Sequence, residues 1–255
     1  MSRSVLVIAG LDPSGGAGFT ADLAVLTRAR VPGVVAATAV TVQGPSGVTE
    51  VVPLAGEVVG RTIRMLAEST EIGAVKIGML AAAEIVETVA EALAATAHGP
   101  LVIDPVILSG TGFPLLDDAG VERLRSRLLP LADVVTPNLA EAERLCGRPV
   151  ASIHDMEDAG RAILGLGARS VLVKGGHSEG APCDVWVDER GVTRVAGRRV
   201  GTARIHGAGC ALATWIAAGL ATGLEPLAAA RRAKAEVTAA IEASVVRHHV
   251  RYLNW

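Results

Sequence analysis

The residues of this chain able to do chemistry gather in short clusters, most of them placed just after a run of Val, Ile, Leu or Ala. Gly10-Leu11-Asp12-Pro13-Ser14-Gly15-Gly16-Ala17-Gly18 comes first, followed by Gln43-Gly44, Gly78-Met79 and Asp104-Pro105. Thr136-Pro137-Asn138 with nearby Glu141, then Lys174-Gly175-Gly176-His177, and finally Gly207-Ala208-Gly209-Cys210 complete the series. The last cluster runs directly into an apolar helical stretch, Ala211 to Ala221. A glycine-rich turn entering a helix leaves amide N–H groups unpaired at the positive end of the helix dipole, which suits phosphate or a developing anion. The same field would favour thiolate at Cys210. A small buried cysteine at a helix start is the alternative.

Lys174 could neutralise a phosphate chain, while Asp104, Asn138 and Glu141 could organise magnesium and its waters. Each also has a plain structural reading: Asn138 as a helix cap, Glu141 favouring the positive helix end, Lys174 solvated. The glycines of 10–18 permit close backbone approach to a ligand. That stretch is neither a Walker A loop nor a complete Gly-x-Gly-x-x-Gly fingerprint. Cys146, Cys183 and Cys210 form no Cys-x-x-Cys pair, which argues against a disulfide framework or cysteine-rich zinc site and points to a reducing cytoplasm.

These clusters need a scaffold. Strands are expected over Val5–Ala9, Val34–Val42, Val75–Ile77, Leu101–Asp104, Val134–Thr136 and Ser170–Lys174, apolar enough to be buried on both faces. Helical segments lie between them: Ala21–Arg30, Glu57–Ser69, Ala82–Ala97, Ala119–Leu128, Leu139–Cys146 and Asp155–Leu166. The alternation predicts an α/β fold with a doubly wound, mostly parallel sheet, whose ligands sit beyond the carboxyl ends of the strands. Asp184–Val187 and Val192–Val200 flank a reverse turn and read as a C-terminal antiparallel hairpin. Helices over Ala211–Ala221 and Pro226–Ser244 follow, the second with proline in its first turn. One domain over 1–246 with a tail at 247–255 is the simplest organisation.

The 255 residues, 50% hydrophobic and 20% charged with a net charge of −2, exclude a largely disordered chain and offer no global attraction for nucleic acid or acidic membrane surfaces. Aromatics at 2% suggest neither a base-stacking platform nor a membrane belt. No apolar run approaches a membrane span, and the N-terminal one is too short for a signal segment.

Taken in order, the strings resemble the ribokinase-like superfamily, and within it the hydroxymethylpyrimidine/phosphomethylpyrimidine kinases of thiamin synthesis. The resemblance spans Val5 to about Ile241. It rests on Ile8 to Gly18 with Ala21-Asp22-Leu23, Val75-Lys76-Ile77-Gly78-Met79-Leu80, Asp104-Pro105-Val106, Thr136 to Glu141, Val173 to His177 and His206 to Cys210. It implies a three-layer α/β/α sandwich and ATP- and magnesium-dependent phosphorylation of the hydroxymethyl group of 4-amino-5-hydroxymethyl-2-methylpyrimidine, followed by phosphorylation of the monophosphate. A homodimer is implied as well.

By matching positions, Asp22 and Gln43 would read the pyrimidine edge, with Gly10 close by and Met79 and Val106 as apolar walls. Cys210 would act as base beside the Gly207, Ala208 and Gly209 amides and Lys174. Asp104, Asn138 and Glu141 would organise metal and phosphates, Asp104 and Glu141 holding the metal through water, and Lys234 would lie near the nucleotide. The chain departs from the family pattern at Ala208, Gly44, the 107–112 loop and the C-terminus. A kinase for pyridoxal or a similar heterocyclic alcohol, and a silent pyrimidine-binding module, are the competing readings. His177 and His206 are expected to be structural or nucleotide-adjacent, His248-His249 to lie in a solvated tail, and Tyr252 and Trp255 to serve an interface.

Overall fold

The computed structural model describes residues 3–44, 46–176, 183–198, 200, 205–247 and 250–254. Its central element is β1 (Ser4–Leu11), where side chains alternate between two buried faces. Leu6 and Ile8 pack on one side against α2 (Gly56–Ser69), α3 (Ala83–Ala94), α4 (Asp118–Arg123), α5 (Leu139–Cys146) and α6 (Ile153–Leu164). Val5, Val7 and Ala9 pack on the other against α1 (Gly18–Ala29), α7 (Ala208–Ala221) and α8 (Pro226–Glu242). Two apolar cores on opposite faces make the three-layer sandwich.

The nine-stranded sheet has the order β3-β2-β1-β4-β5-β6-β7-β8-β9. Its parallel body is β2 (Gly33–Gly44), β1, β4 (Ile72–Ile77), β5 (Leu101–Ile103), β6 (Val134–Val135) and β7 (Ser170–Val173). Antiparallel strands finish both edges: β3 (Gly47–Pro53) on one side, and β8 (Cys183–Asp188) with β9 (Gly191–Ala196) on the other. From β1 the chain moves outward to β2 and then crosses back to β4 on β1's other flank. The strand order therefore reverses at β1 and β4, where an open sheet presents its ligand crevice.

All six expected strands form, as does the hairpin. Strand β3 was not expected, because Thr49, Glu50 and a terminal Pro53 dilute its apolar pattern; it is an edge strand, where such residues are tolerated. The helix expected over Ala119–Leu128 begins as α4 and widens into a π turn over Leu124–Leu128, then tightens before Pro130.

The C-terminus differs most. Residues 245–247 and 250–252 are no tail: β12 (Val250–Tyr252) lies between β10 (Ile205–His206) and β11 (Val245–Arg247) in a second, three-stranded sheet. Val245-Val246 and Val250 supply the β-branched residues for it. His177, His248, His249 and Trp255 lie outside the described residues.

Candidate active site

The clusters meet at the carboxyl edge of the sheet around one cavity of about 830 Å³. Its floor is the first turn of α7. Gly207, the N-cap, has φ 79°, and a Cβ there would fall 1.8 Å from the Gly16 carbonyl oxygen, so only glycine fits. The amides of Ala208, Gly209 and Cys210 follow with no acceptor among the described residues, as the first turn of any helix dictates. Lys174, at the end of β7, lies across this turn: a Cβ on Gly209 would be 3.1 Å from its Nζ.

Lys174 Nζ donates to Asp104 Oδ1 at 2.7 Å, and Thr136 Oγ1 donates to the same oxygen at 3.2 Å. Cys210 lies near enough for its titration to feel the Asp104 charge. Asn138 caps α5 by accepting from the Glu141 amide at 3.0 Å, and Glu141 Oε2 accepts from the Asn138 amide at 2.8 Å. The helix-cap reading of Asn138 is thus fulfilled, and both residues line the cavity all the same. Capping fixes Glu141 beside the phosphate-sized space next to Lys174.

Burial sets the electrostatics. It pushes the Glu141 carboxyl up to about 7; Lys174 opposes this and Asp104 reinforces it. Burial alone would discharge Lys174, but Asp104 and Glu141 reverse that and hold it as a firm ammonium. Asp104 stays ionised despite its own burial, because Lys174 and Lys76 face it. Cys210 contradicts the thiolate expectation. Burial and the charge of Asp104 push its thiol up to about 12, outweighing Lys76, Lys174 and the helix dipole.

Two expected ligand-contacting residues fall elsewhere. Asp22 is fully buried behind the cavity wall, where Oδ2 accepts from Lys76 Nζ at 2.7 Å and Oδ1 from Thr214 Oγ1 at 2.6 Å. Lys234 pairs with Asp184 and lines a separate groove between β9 and α8, so its ammonium does not reach the main cavity. Asp184 in turn accepts from the Gly175 amide at 2.9 Å, which ties this pair to the turn after Lys174.

The acceptor side of the cavity is apolar. Met79 and Val106 join Ala39, Val48 and Leu115 in a small cluster there, and Gly10 lets the backbone approach Met79, whose Sδ would lie 3.2 Å from an added Cβ. Gln43 lines this side, with Nε2 3.1 Å from His206 Nε2. The same His206 nitrogen lies 2.7 Å from Asp12 Oδ2. Asp12 is held below the usual carboxylate range: burial works against this, but His206 and the Ser14 amide more than offset it. His206 thus knits the 10–18 loop to the α7 turn, and Tyr252 packs edge-on against its ring.

Asp12, Lys76, Arg144, His206 and Tyr252 also line the cavity, and sequence reasoning did not propose them as site residues. Lys76 carried a usable signal, since a lysine inside a doubly buried strand demands a buried anion. Asp104 and Glu141 offer hard oxygen donors suited to magnesium held through water. Among the described residues no three His, Cys, Asp or Glu side chains are grouped to hold a metal ion by themselves.

The sequence profile for phosphomethylpyrimidine kinase matches residues 12–252. Hydroxymethylpyrimidine/phosphomethylpyrimidine kinases of Streptomyces coelicolor and Haemophilus influenzae are 42% and 41% identical to this chain. Each alignment covers 94% of this chain, and 88% and 91% of the respective relative. A pyridoxal kinase of Staphylococcus aureus, solved with AMP-PCP and pyridoxal, superposes with a TM-score of 0.92 at 32% identity, over 100% of this chain and 93% of that one. With clusters gathered around one cavity and this extent of likeness, the chain belongs to the phosphomethylpyrimidine kinase family.

Proposed function

We propose that this protein transfers the γ-phosphoryl group of ATP to the hydroxymethyl group of 4-amino-5-hydroxymethyl-2-methylpyrimidine, and then a second phosphoryl group to the resulting monophosphate. One observation carries the reading: Lys174, Asp104 and Cys210 stand side by side against the free amides of α7, at the floor of a cavity with an apolar acceptor wall. Met79 and Val106 sandwich the flat ring, while Gln43 meets its polar edge. The Ala208, Gly209 and Cys210 amides and Lys174 receive the negative oxygens of the transferred group, where fixed donors in a dry site act most strongly.

Asp104 and Glu141 would hold magnesium through water, and the ion would neutralise the charge shared by the β and γ phosphates. The acceptor hydroxyl sits beside Cys210 and gives up its proton late in the transfer, to an oxygen of the transferred phosphoryl group, so no standing thiolate is required. Asn138 keeps Glu141 in place.

A cytoplasmic location is part of this reading, in keeping with its free cysteines Cys146, Cys183 and Cys210. No helix among the described residues is long and apolar enough to cross a membrane. A homodimer is supported by the exposed apolar row Val40, Val42 and Val52 on the β2–β3 edge, and sedimentation would test it.

Pyridoxal is the second substrate reading, favoured by the likeness to the pyridoxal kinase. Incubation with ATP, magnesium and each alcohol, with mass analysis of mono- and diphosphorylated products, tests both. Efficient turnover of the aminopyrimidine to a diphosphate is expected. Preference for pyridoxal would overturn the substrate assignment, and no phosphoryl transfer to any alcohol would overturn the reaction.

A further inference from the structure

The lysines and arginines lining the cavity are Lys76, Lys174 and Arg144, and they differ in how they are held. Lys76 is fully buried against Asp22, and Lys174 nearly so against Asp104. Arg144 is not committed in this way. Its side chain is 49% exposed, and its carboxylate partner Asp118 is 89% exposed. An exposed ion pair contributes little, so the guanidinium can exchange Asp118 for a better anion at small cost.

Arg144 also stands where an anion would arrive. Asn138, Glu141 and Arg144 recur at steps of three along α5, which keeps them along one side of the helix, and all three line the cavity. Asp118, which anchors Arg144, opens α4 just after the segment whose Leu115 packs with Met79 and Val106. Arg144 is thereby tethered to α4, three residues beyond Leu115 of the apolar wall, while the α7 amides and Lys174 lie at the cavity floor. A hydroxymethylpyrimidine brings no charge to that wall; its monophosphate brings about two negative charges beside those of ATP.

We propose that Arg144 selects the phosphorylated acceptor: in the second transfer its guanidinium leaves Asp118 and pairs with the phosphate monoester of the substrate. The planar guanidinium fork matches two phosphate oxygens at once, which a lysine ammonium cannot do. The inference rests on the kinase reading above and adds the residue that separates its two acceptors.

The test compares wild type with Arg144→Ala, Arg144→Lys and Asp118→Asn. Steady-state rates are measured with the alcohol and with its monophosphate, and binding of the monophosphate is measured by calorimetry without nucleotide. Arg144→Ala is expected to weaken monophosphate binding about tenfold or more, the size of a charge-assisted hydrogen bond, and to lower the monophosphate-to-alcohol ratio of kcat/KM to match. Arg144→Lys should keep part of the wild-type binding, and Asp118→Asn should lose none of it, since freeing the guanidinium favours binding.

Unchanged monophosphate binding in Arg144→Ala overturns the assignment. So does an equal rise in KM for ATP with both acceptors, which would give Arg144 to the nucleotide. Should wild type make no diphosphate, the second transfer fails as a function, while the calorimetric comparison still decides the role of Arg144.

Discussion

Glu141→Gln should make the ligand-free protein more stable above neutral pH while crippling it as a kinase. The Glu141 side chain is only 5% exposed, and burial with Asp104 nearby lifts its carboxyl from an ordinary 4.5 to about 7. The folded chain thus grips this proton more tightly than the unfolded chain. The resulting stabilisation is fully present below about pH 4.5 and is lost as pH rises through about 7. At 1.36 kcal/mol per pH unit, the loss approaches a ceiling of about 3 kcal/mol above pH 7.

Glutamine mimics the protonated form, and its side-chain oxygen can still accept from the Asn138 amide. The variant should therefore gain up to about 3 kcal/mol near pH 8 but less than about 1 kcal/mol near pH 5. For a chain of this size that gain is a Tm increase of at most about 6–12 °C. Thermal melts in chelator-containing buffer at both pH values provide the assay. Turnover with ATP and magnesium should meanwhile fall about 10- to 100-fold, as when a group organising a metal site is lost. An equal Tm gain at both pH values, or a loss of stability near pH 8, would refute the electrostatic reasoning.

Lys76→Met should cost about 3–5 kcal/mol, because it leaves Asp22 buried and unpaired, whereas the double change Lys76→Met with Asp22→Leu should recover most of that. Urea unfolding at neutral pH distinguishes the two; equal stability of single and double variants would count against a buried ion pair. Cys210→Ala should reduce kcat more than KM. With the thiol pushed up to about 12, Cys210 alkylation should keep accelerating about tenfold per pH unit beyond pH 8 without a plateau, as peptide mass analysis can follow. A plateau near neutrality would restore the thiolate.

Strand ends were legible in the sequence because buried parallel strands read as unbroken Val/Ile/Leu runs, and the glycines and polar groups after them mark one edge of the sheet. That reading puts Asp104, Asn138, Glu141 and Lys174 at one edge of the sheet. Other features depend on tertiary packing that no local pattern encodes. Asp22 looked like a ligand contact, yet α1 turns it inward to Lys76 and Thr214. Lys234 sits on the right helix but turns to Asp184.

The helix start at Cys210 was legible, but not the burial, with Asp104 and Asp22 nearby, that pushes its thiol up. The last residues carried a strand pattern too short to register until β10 offered them a partner. Arg144 gave no signal in the chain, since an arginine in an amphipathic helix is ordinarily a solvated side chain.

One wall of the cavity is sewn together across great distances in sequence: Asp12 meets His206, and Gly16 lies against Tyr252. Contacts of such separation form only after the intervening chain has been ordered, and those at the rim are supported by little of the two apolar cores. The rim and its small sheet should therefore open in hydrogen exchange well before the central strands do. Warmed or mildly denatured protein would keep its spectroscopic fold after losing the shape that recognises its substrates.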